Sequence, residues 1–474
     1  MTTITTFGAG EPSTTLDLAS LRAGFAGELL TPADGAGYDD ARAVFNAMFD
    51  RHPALIARPT SAVDVVAALR FARSSGVPIA VRGGAHSVAG YSTVDDGMVI
   101  DLSAMRRVVV DAKARRVHVQ GGATWGEVDR ATQQFGLATT GGRMTTTGVA
   151  GFTLGSGSGW LERLHGWACD NLISASMVTA DGQLLTASEA DNPDLIWGLR
   201  GGGGNFGIVT EFEFQLHAIG PTVLAGLILH PRDRAPEVLR FYRDFMINAP
   251  REVAGGVILM HAPPAPFVPH TLQGRPAVAI IAAYFGSVER GLEVLAPLRA
   301  FGAPPVDLVR PMPYVELQAI TDAGNPPGRR NYWRSENLAT LPGEAIDALI
   351  ACAATATSPA SVVVLSPVGG AVADVPAEAT ALANRSAPWL FHCYGIWTDA
   401  DDARHLAWVR ATEQIMRPWR AAGISTNFVS EPDDDRVRSS FGTAAYRRLV
   451  ELKNRYDPEN VFRMNQNVRP TASP

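Results

Sequence analysis

Apolar residues recur at helical spacing through Val65, Val66, Leu69 and Ala72 until Gly76, after Ser61 and Asp64 set at the spacing of a capping box. The spacing predicts an amphipathic helix. Pro78 follows, and Ile79 to Val81 predict a strand that runs into the glycine-rich loop Arg82-Gly83-Gly84-Ala85-His86-Ser87. Arg107 to Asp111 and Arg115 to Gln120 predict paired strands, Thr124 with Glu127 caps a short helix, and Gly136 ends it. Met177 to Thr179, the Asp181-Gly182 turn and Leu184 to Thr186 predict a hairpin.

Glycine punctuates the same region in two further blocks. Gly141 to Trp160 holds Gly148, Gly151, Gly155, Gly157 and Gly159 between apolar flanks, a density that lets backbone amides approach a ligand closely. Gly201 to Gly207 satisfies the dinucleotide string G-x-G-x-x-G, but that fingerprint requires a helix after it. Here Ile208 to Leu216 alternates Val209, Glu211, Glu213 and Gln215 against Ile208, Phe212, Phe214 and Leu216, the pattern of a strand. A Rossmann site is therefore rejected. Beyond residue 220 the chain turns rich in Pro, Ala and Leu; Ala277 to Tyr284 predicts a buried strand and Arg404 to Arg417 a helix. If 391–397 is a strand, His392 and Tyr394 share one face.

The chain of 474 residues exceeds one ordinary core of roughly 100 to 200 residues, so two or three substructures are expected. It is 46% hydrophobic and 19% charged without a fixed repeat, which excludes fibrous, coiled-coil and disordered classes. With 41 basic and 47 acidic residues and no basic run interleaved with aromatics, nucleic acid is not an expected partner. Met1 to Ala19 lacks the basic start and apolar stretch of a signal peptide, and nothing reaches transmembrane length, so no membrane partner is expected. Cys169, Cys352 and Cys393 give neither a disulfide framework nor a metal spacing, and a cytoplasmic location is expected.

The glycine blocks, together with Arg58-Pro59-Thr60, Gly121 to Trp125, Asp170-Asn171-Leu172, Asn192 to Leu195, Ala379 to Ala381 with Arg385, and Tyr456 to Asn467, resemble the berberine-bridge-enzyme-like FAD-linked oxidases of the vanillyl-alcohol oxidase superfamily. The resemblance covers nearly the whole chain. It implies an α+β fold: a two-part PCMH-type FAD-binding domain over 1–220 (core about 54–220) and 431–474, and a substrate domain over 221–430 with an antiparallel sheet covered by helices. It also implies FAD as cofactor, a small-molecule substrate, and oxygen as the electron acceptor with hydrogen peroxide as product. A dehydrogenase using another acceptor is the alternative; a protein that binds flavin with little turnover also stays open.

Site residues follow from the same resemblance. His86 stands where similar proteins bond a histidine to the flavin, and Arg82, Gly83, Gly84, Ala85 and Ser87 surround it. Arg82 reads either as a charge at a strand end or as a pyrophosphate partner. Relatives that attach FAD twice carry a cysteine where this chain has Met144, and a thioether cannot replace a thiolate, so a single link is expected. Thr147 falls where oxygen access is governed, and Gly148, Gly151, Gly157, Gly207, Val209, Asn465 and Asn467 complete the expected cofactor contacts, the two asparagines alternating on a final strand. A tyrosine that relatives often carry two residues before Asn427 is replaced by Ser425, so the catalytic candidates become Tyr332, His392 and Tyr394 on the substrate-domain sheet. Gln318 and Arg334 either orient a substrate oxygen or serve a domain contact. The charge run Lys453 to Asp457 is expected to be a solvated helix end.

Overall fold

The computed structural model describes residues 3–5, 15–383, 385–423, 426–431 and 434–471. Three sheets organise the described chain. The first is four-stranded, in the order Glu28–Leu30, Leu55–Arg58, Met98–Asp101, Ile79–Arg82. Its last three strands are parallel, and the Ala62–Ser74 helix packs Val65, Leu69 and Ala72 into the same core as Leu55, Ile79, Met98 and Ile100. Ser61 caps that helix by accepting from the Asp64 amide. The Asp64 carboxylate does not close the expected box; it accepts instead from the amides of Ala26 (3.0 Å) and Thr60 (2.9 Å), tying an earlier segment to the helix start.

The second sheet is antiparallel, in the order Leu184–Ser188, Leu172–Val178, Ile208–Gln215, Arg116–Gln120, Val108–Asp111. The alternation read after Gly207 thus forms its central strand, burying Phe212 and Phe214. The Thr443–Tyr456 helix returns to this core, placing Leu449 and Leu452 against Leu195, Trp197 and Phe206.

The third sheet is built only from the intervening chain. Its strands run Val306–Asp307, Thr222–Pro231, Pro276–Tyr284, Val253–His261, Val362–Pro367, Trp389–Trp397, Arg330–Leu338, with Arg310–Pro313 also paired to Thr222–Pro231. Every pairing in it is antiparallel. Helices Ala235–Asn248, Gly343–Ala354 and Asp402–Met416 cover one face through Leu239, Ile346, Leu349 and Val409. The opposite face packs Ala225, Ala254, Ile281 and Ala283 against Ala138, Trp160 and Leu161 of the glycine-rich region. A face closed by helices and a face closed by the first region together bury most strand residues, which is why strands such as Pro276–Tyr284 read as nearly continuous apolar runs.

Two expectations at the C-terminal end change. Lys453 and Asp457 are fully buried, 2.7 Å apart, and Lys453 also donates to the carbonyls of Asn205 (3.0 Å) and Phe462 (2.9 Å). What reads in sequence as a solvated charge run is a buried clasp between the third glycine block and the segment after the helix. Residues 461–470 form no strand; Asn465 and Asn467 sit in a bend held by hydrogen bonds to that block. Among the described residues, no helix is long and apolar enough to cross a membrane.

Candidate active site

The loop after Ile79–Arg82 leaves the sheet edge with Ala85 in the left-handed region at φ 58°. That turn presents His86 toward the second glycine block, where its Nε2 lies 2.9 Å from the Thr146 hydroxyl oxygen. Phe45 stacks on the imidazole at 4.3 Å with 16° between the planes. Phe45 is itself held, since its amide donates to the Ala85 carbonyl (3.1 Å) and Arg82 donates to the carbonyls of Ala41 and Ala43. Arg82 therefore braces the segment that stacks on His86. Burial pushes the imidazole down to about 4, so the ring is neutral at ordinary pH.

Gly84 and Gly148 bring the first two glycine blocks into contact. A Cβ on Gly84 would lie 2.3 Å from the Gly148 nitrogen, and one on Gly148 would lie 2.2 Å from the Gly84 nitrogen. Gly151 has open space around its Cα, whereas Gly157 at φ 87° packs against Ala168 and the Phe152 ring. Gly83 backs onto the Gly121 carbonyl, and Ser87 closes a local turn by accepting from the Tyr91 amide (3.1 Å). Thr147 bridges through its backbone, accepting from the Trp125 amide (2.9 Å). Gly207 abuts Met177 and Val178, and the Val209 side chain is buried in the second core, so neither offers a side chain to a ligand.

The C-terminal bend meets the third glycine block. Asn465 donates to the Gly204 carbonyl (3.1 Å), Asn205 donates to the Gln466 carbonyl (3.1 Å), and the buried side-chain oxygens of Asn460, Asn465, Gln466 and Asn467 have no partner among the described residues. Buried amide oxygens in such a row are costly unless a ligand donates to them. Close glycine backbones, an open face at Gly151 and this row of acceptors fit a flavin dinucleotide.

The opposing wall comes from the third sheet. Trp333 pairs with Tyr394 in register and Ser335 with His392, so these four side chains share one face. Trp333 lies 4.4 Å from the Tyr394 ring, His392 lies 5.2 Å from Tyr394, and Phe428 meets His392 edge-on at 4.5 Å. Trp333 also meets Phe45, the ring stacked on His86, at 6.4 Å, and Met144 packs into the same cluster. His392 Nδ1 and Ser335 Oγ are buried and have no partner among the described residues. Burial, assisted by the Arg143 charge, pushes His392 down to about 3, and burial pushes Tyr394 up, so both are neutral.

Tyr332 does not join them. It lies on the opposite face, where its hydroxyl donates to Glu431 (2.6 Å) and accepts from Arg334 (2.7 Å) and Arg410 (3.2 Å). Strand alternation sends residues 332 and 394 to different sides, since Tyr332 pairs with Gly395. Arg334 follows Tyr332 to that side, and Gln318 is a contact between regions, donating to Asp129 (2.9 Å) and the Gly142 carbonyl (3.3 Å). Ser425 lies outside the described residues.

Phe45, Asn46, Arg143, Thr146 and Phe428 are contributors that the sequence reading does not single out. Asn46 donates to the carbonyls of Val88 (3.0 Å) and Asn331 (2.8 Å), pinning the His86 loop to the edge strand of the third sheet. Arg143 stacks on Trp160 and bonds Ser158, the Gly159 carbonyl and Glu162. In sequence Arg143 stands among Thr and Gly at the start of the second glycine block, and no pattern there marks it.

Residues 53–188 match the FAD binding domain family, and residues 419–469 match the berberine and berberine-like family. The chain is 30% identical over 463 residues to (R)-6-hydroxynicotine oxidase of Paenarthrobacter nicotinovorans, covering 94% of this chain and 97% of that one. It is 29% identical to an FAD-linked oxidoreductase of Dictyostelium discoideum, covering 88% and 89%. Among solved structures, 6-hydroxy-D-nicotine oxidase of Arthrobacter nicotinovorans superposes with a TM-score of 0.82 at 27% identity, covering 94% of this chain and 98% of the other. A berberine-bridge-enzyme-like protein of Physcomitrella patens superposes at 0.85 with 22% identity, covering 96% and 99%.

Proposed function

The chain belongs to the berberine-bridge-enzyme-like FAD-linked oxidoreductases of the vanillyl-alcohol oxidase superfamily, and on that premise we propose that it is an oxidase whose FAD is tethered once, through His86. When bound, FAD supplies the hydride acceptor and, once reduced, passes electrons to oxygen with release of hydrogen peroxide. We assign its binding to residues 1–220 and 431–474, and substrate binding to 221–430. The observation that carries this reading is the position of a neutral His86 at the junction of two glycine blocks, facing an aromatic wall that bears His392 and Tyr394. A neutral imidazole keeps the lone pair that a bond to carbon requires.

The residues divide the remaining work. Trp333, Phe428 and Phe45 offer flat surfaces that hold a ring-bearing substrate against the cofactor and exclude water. His392, whose Nδ1 has no partner among the described residues, accepts the proton of the substrate hydroxyl or amine as the adjacent C–H bond breaks, a step in which bound substrate and cofactor must stabilise the imidazolium that burial and Arg143 disfavour. Tyr394, held protonated, donates a hydrogen bond that orients the same heteroatom. A cyclic amine or alcohol joined to an aromatic ring is the substrate class we favour, and the 30%-identical relative named for 6-hydroxynicotine makes that compound the first to test.

The deciding experiment is acid precipitation followed by oxygen-uptake assays on alcohols, cyclic amines and sugars. Colour retained in the pellet, an adduct mapped to the His86 peptide, and peroxide formed in step with oxygen consumed are the expected results. Colour wholly in the supernatant removes the covalent link. Reduced enzyme that stays reduced in air replaces the oxidase reading with a dehydrogenase using another acceptor.

A further inference from the structure

Arg330–Leu338 is the edge strand of the third sheet, so one side of its backbone lacks a neighbouring strand. Residues 426–431 occupy that side. The Ser430 amide donates to the Trp333 carbonyl (3.2 Å) and the Trp333 amide donates to the Ser430 hydroxyl (2.8 Å). Two residues earlier, Phe428 turns to the front of the sheet and packs on His392 and Trp333. One residue later, Glu431 turns to the back. There its carboxylate accepts from Tyr332 (2.6 Å) and Arg410 (2.7 Å), and its carbonyl accepts from Arg334 (3.1 Å).

The beginning of this strap is fixed elsewhere. Thr426 donates to the Gly155 carbonyl (3.3 Å), Asn427 donates to the Phe152 carbonyl (2.8 Å), and Gln466 donates to the Thr426 carbonyl (3.0 Å). Gly155 is required there, because a Cβ would lie 1.9 Å from the Asn427 side-chain oxygen. Six residues thus join the cofactor side, the pocket front, the free strand edge and the back of the sheet.

We propose that Tyr332 and Glu431 are positioning residues, a clamp behind the sheet that sets Phe428 against His392 in front of it. The assignment rests on the reading of the front face as the substrate wall. Its logic is geometric. The short strap is anchored at each end, so removing the Glu431 carboxylate leaves, among the described residues, the Ser430 pair and the Arg334 bond to the Glu431 carbonyl to hold the C-terminal half against the edge. Phe428, lying between the anchors, then loses its fixed angle to the imidazole. Tyr332 is buried, and its hydroxyl is the point where Glu431, Arg334 and Arg410 converge. Removing that one oxygen takes the buried contact away from the Glu431 carboxylate, which then relies on Arg410 and Arg334, and it does so without touching the front face.

Hydrogen–deuterium exchange on wild type, Glu431→Ala and Tyr332→Phe tests the clamp directly. Exchange over 426–431 is expected to quicken about tenfold or more in both variants, while the amides of Asp402–Met416 keep their protection. The double variant should add little to either single one, as for partners in one interaction. With FAD content unchanged, the visible circular dichroism of the bound flavin should shift as Phe428 reorients, and Glu431→Gln, which keeps an acceptor for the Tyr332 hydroxyl, should recover part of the wild-type signal. Wild-type exchange over 426–431 in both variants overturns the proposal, and so does an equal loss of protection along Asp402–Met416, which would mean general destabilisation. Exchange needs neither flavin nor substrate, so a protein isolated without FAD would sink the functional reading and leave the clamp to be judged alone.

Discussion

Gly84 and Gly148 touch through their backbones, with no volume for a side chain on either, and this contact joins the loop that bears His86 to the loop that precedes the Val149–Leu154 helix. Because the obstructing atoms are backbone atoms on both sides, no rotamer change can make room. A methyl group at either position must push the two loops apart.

Gly84→Ala is therefore expected to weaken the fold by about 1–3 kcal/mol through overpacking and to lower flavin occupancy more than it lowers stability. Urea unfolding monitored alongside the ratio of flavin to protein absorbance checks both. Normal occupancy in the variant would show that the contact does not shape the cleft.

His392→Asn should keep its flavin and lose roughly 10²- to 10⁴-fold in kcat, the usual contribution of a positioned proton acceptor. Rapid-mixing reduction of the flavin by substrate isolates the step. A variant that is reduced as fast as wild type removes His392 from the chemistry.

Histidine burial makes stability depend on pH in a defined direction. His392 is held at about 3, below the 6.5 of an exposed histidine, so the unfolded chain takes up its proton first as pH falls. Stability contributed by the neutral ring is complete above about 6.5 and is lost progressively toward 3, adding up to about 1.4 kcal/mol per pH unit to the slope. Thermal unfolding between pH 7 and 4.5 should show a shallower decline in His392→Phe than in wild type; equal slopes would contradict the assignment.

Lys453→Met leaves the Asp457 carboxylate buried without its cation and should cost about 3–5 kcal/mol. Because Lys453 also holds the Asn205 and Phe462 carbonyls, flavin retention should fall with it. Chemical denaturation and flavin release on gel filtration measure the two effects. The double variant Lys453→Met with Asp457→Leu should recover part of the stability, which a loss of packing alone would not allow.

Sequence reveals the parts of this fold whose signals are local. Alternation after Gly207 identifies the central strand of the second sheet, and the glycine-rich loop identifies where His86 emerges. The sidedness of Tyr332 is not local: both faces of its strand are buried and both carry aromatic residues, so alternation separates 332 from 333 without saying which faces the cofactor. Lys453 to Asp457 misleads for a similar reason. A helix-end charge pair looks the same in sequence whether water or the Asn205 carbonyl lies beyond it. Phe45 and Phe428 reach the site only through contacts between distant segments, and a residue-by-residue pattern carries no sign of them.

The clasp between Lys453 and the Asn205 carbonyl also joins segments 248 residues apart. Residues 453–468 follow the whole sheet from Thr222 to Trp397 along the chain, yet they bond the third glycine block that precedes it. The acceptor row at the C-terminal bend therefore meets its glycine block only in a chain that carries both sides of the third sheet.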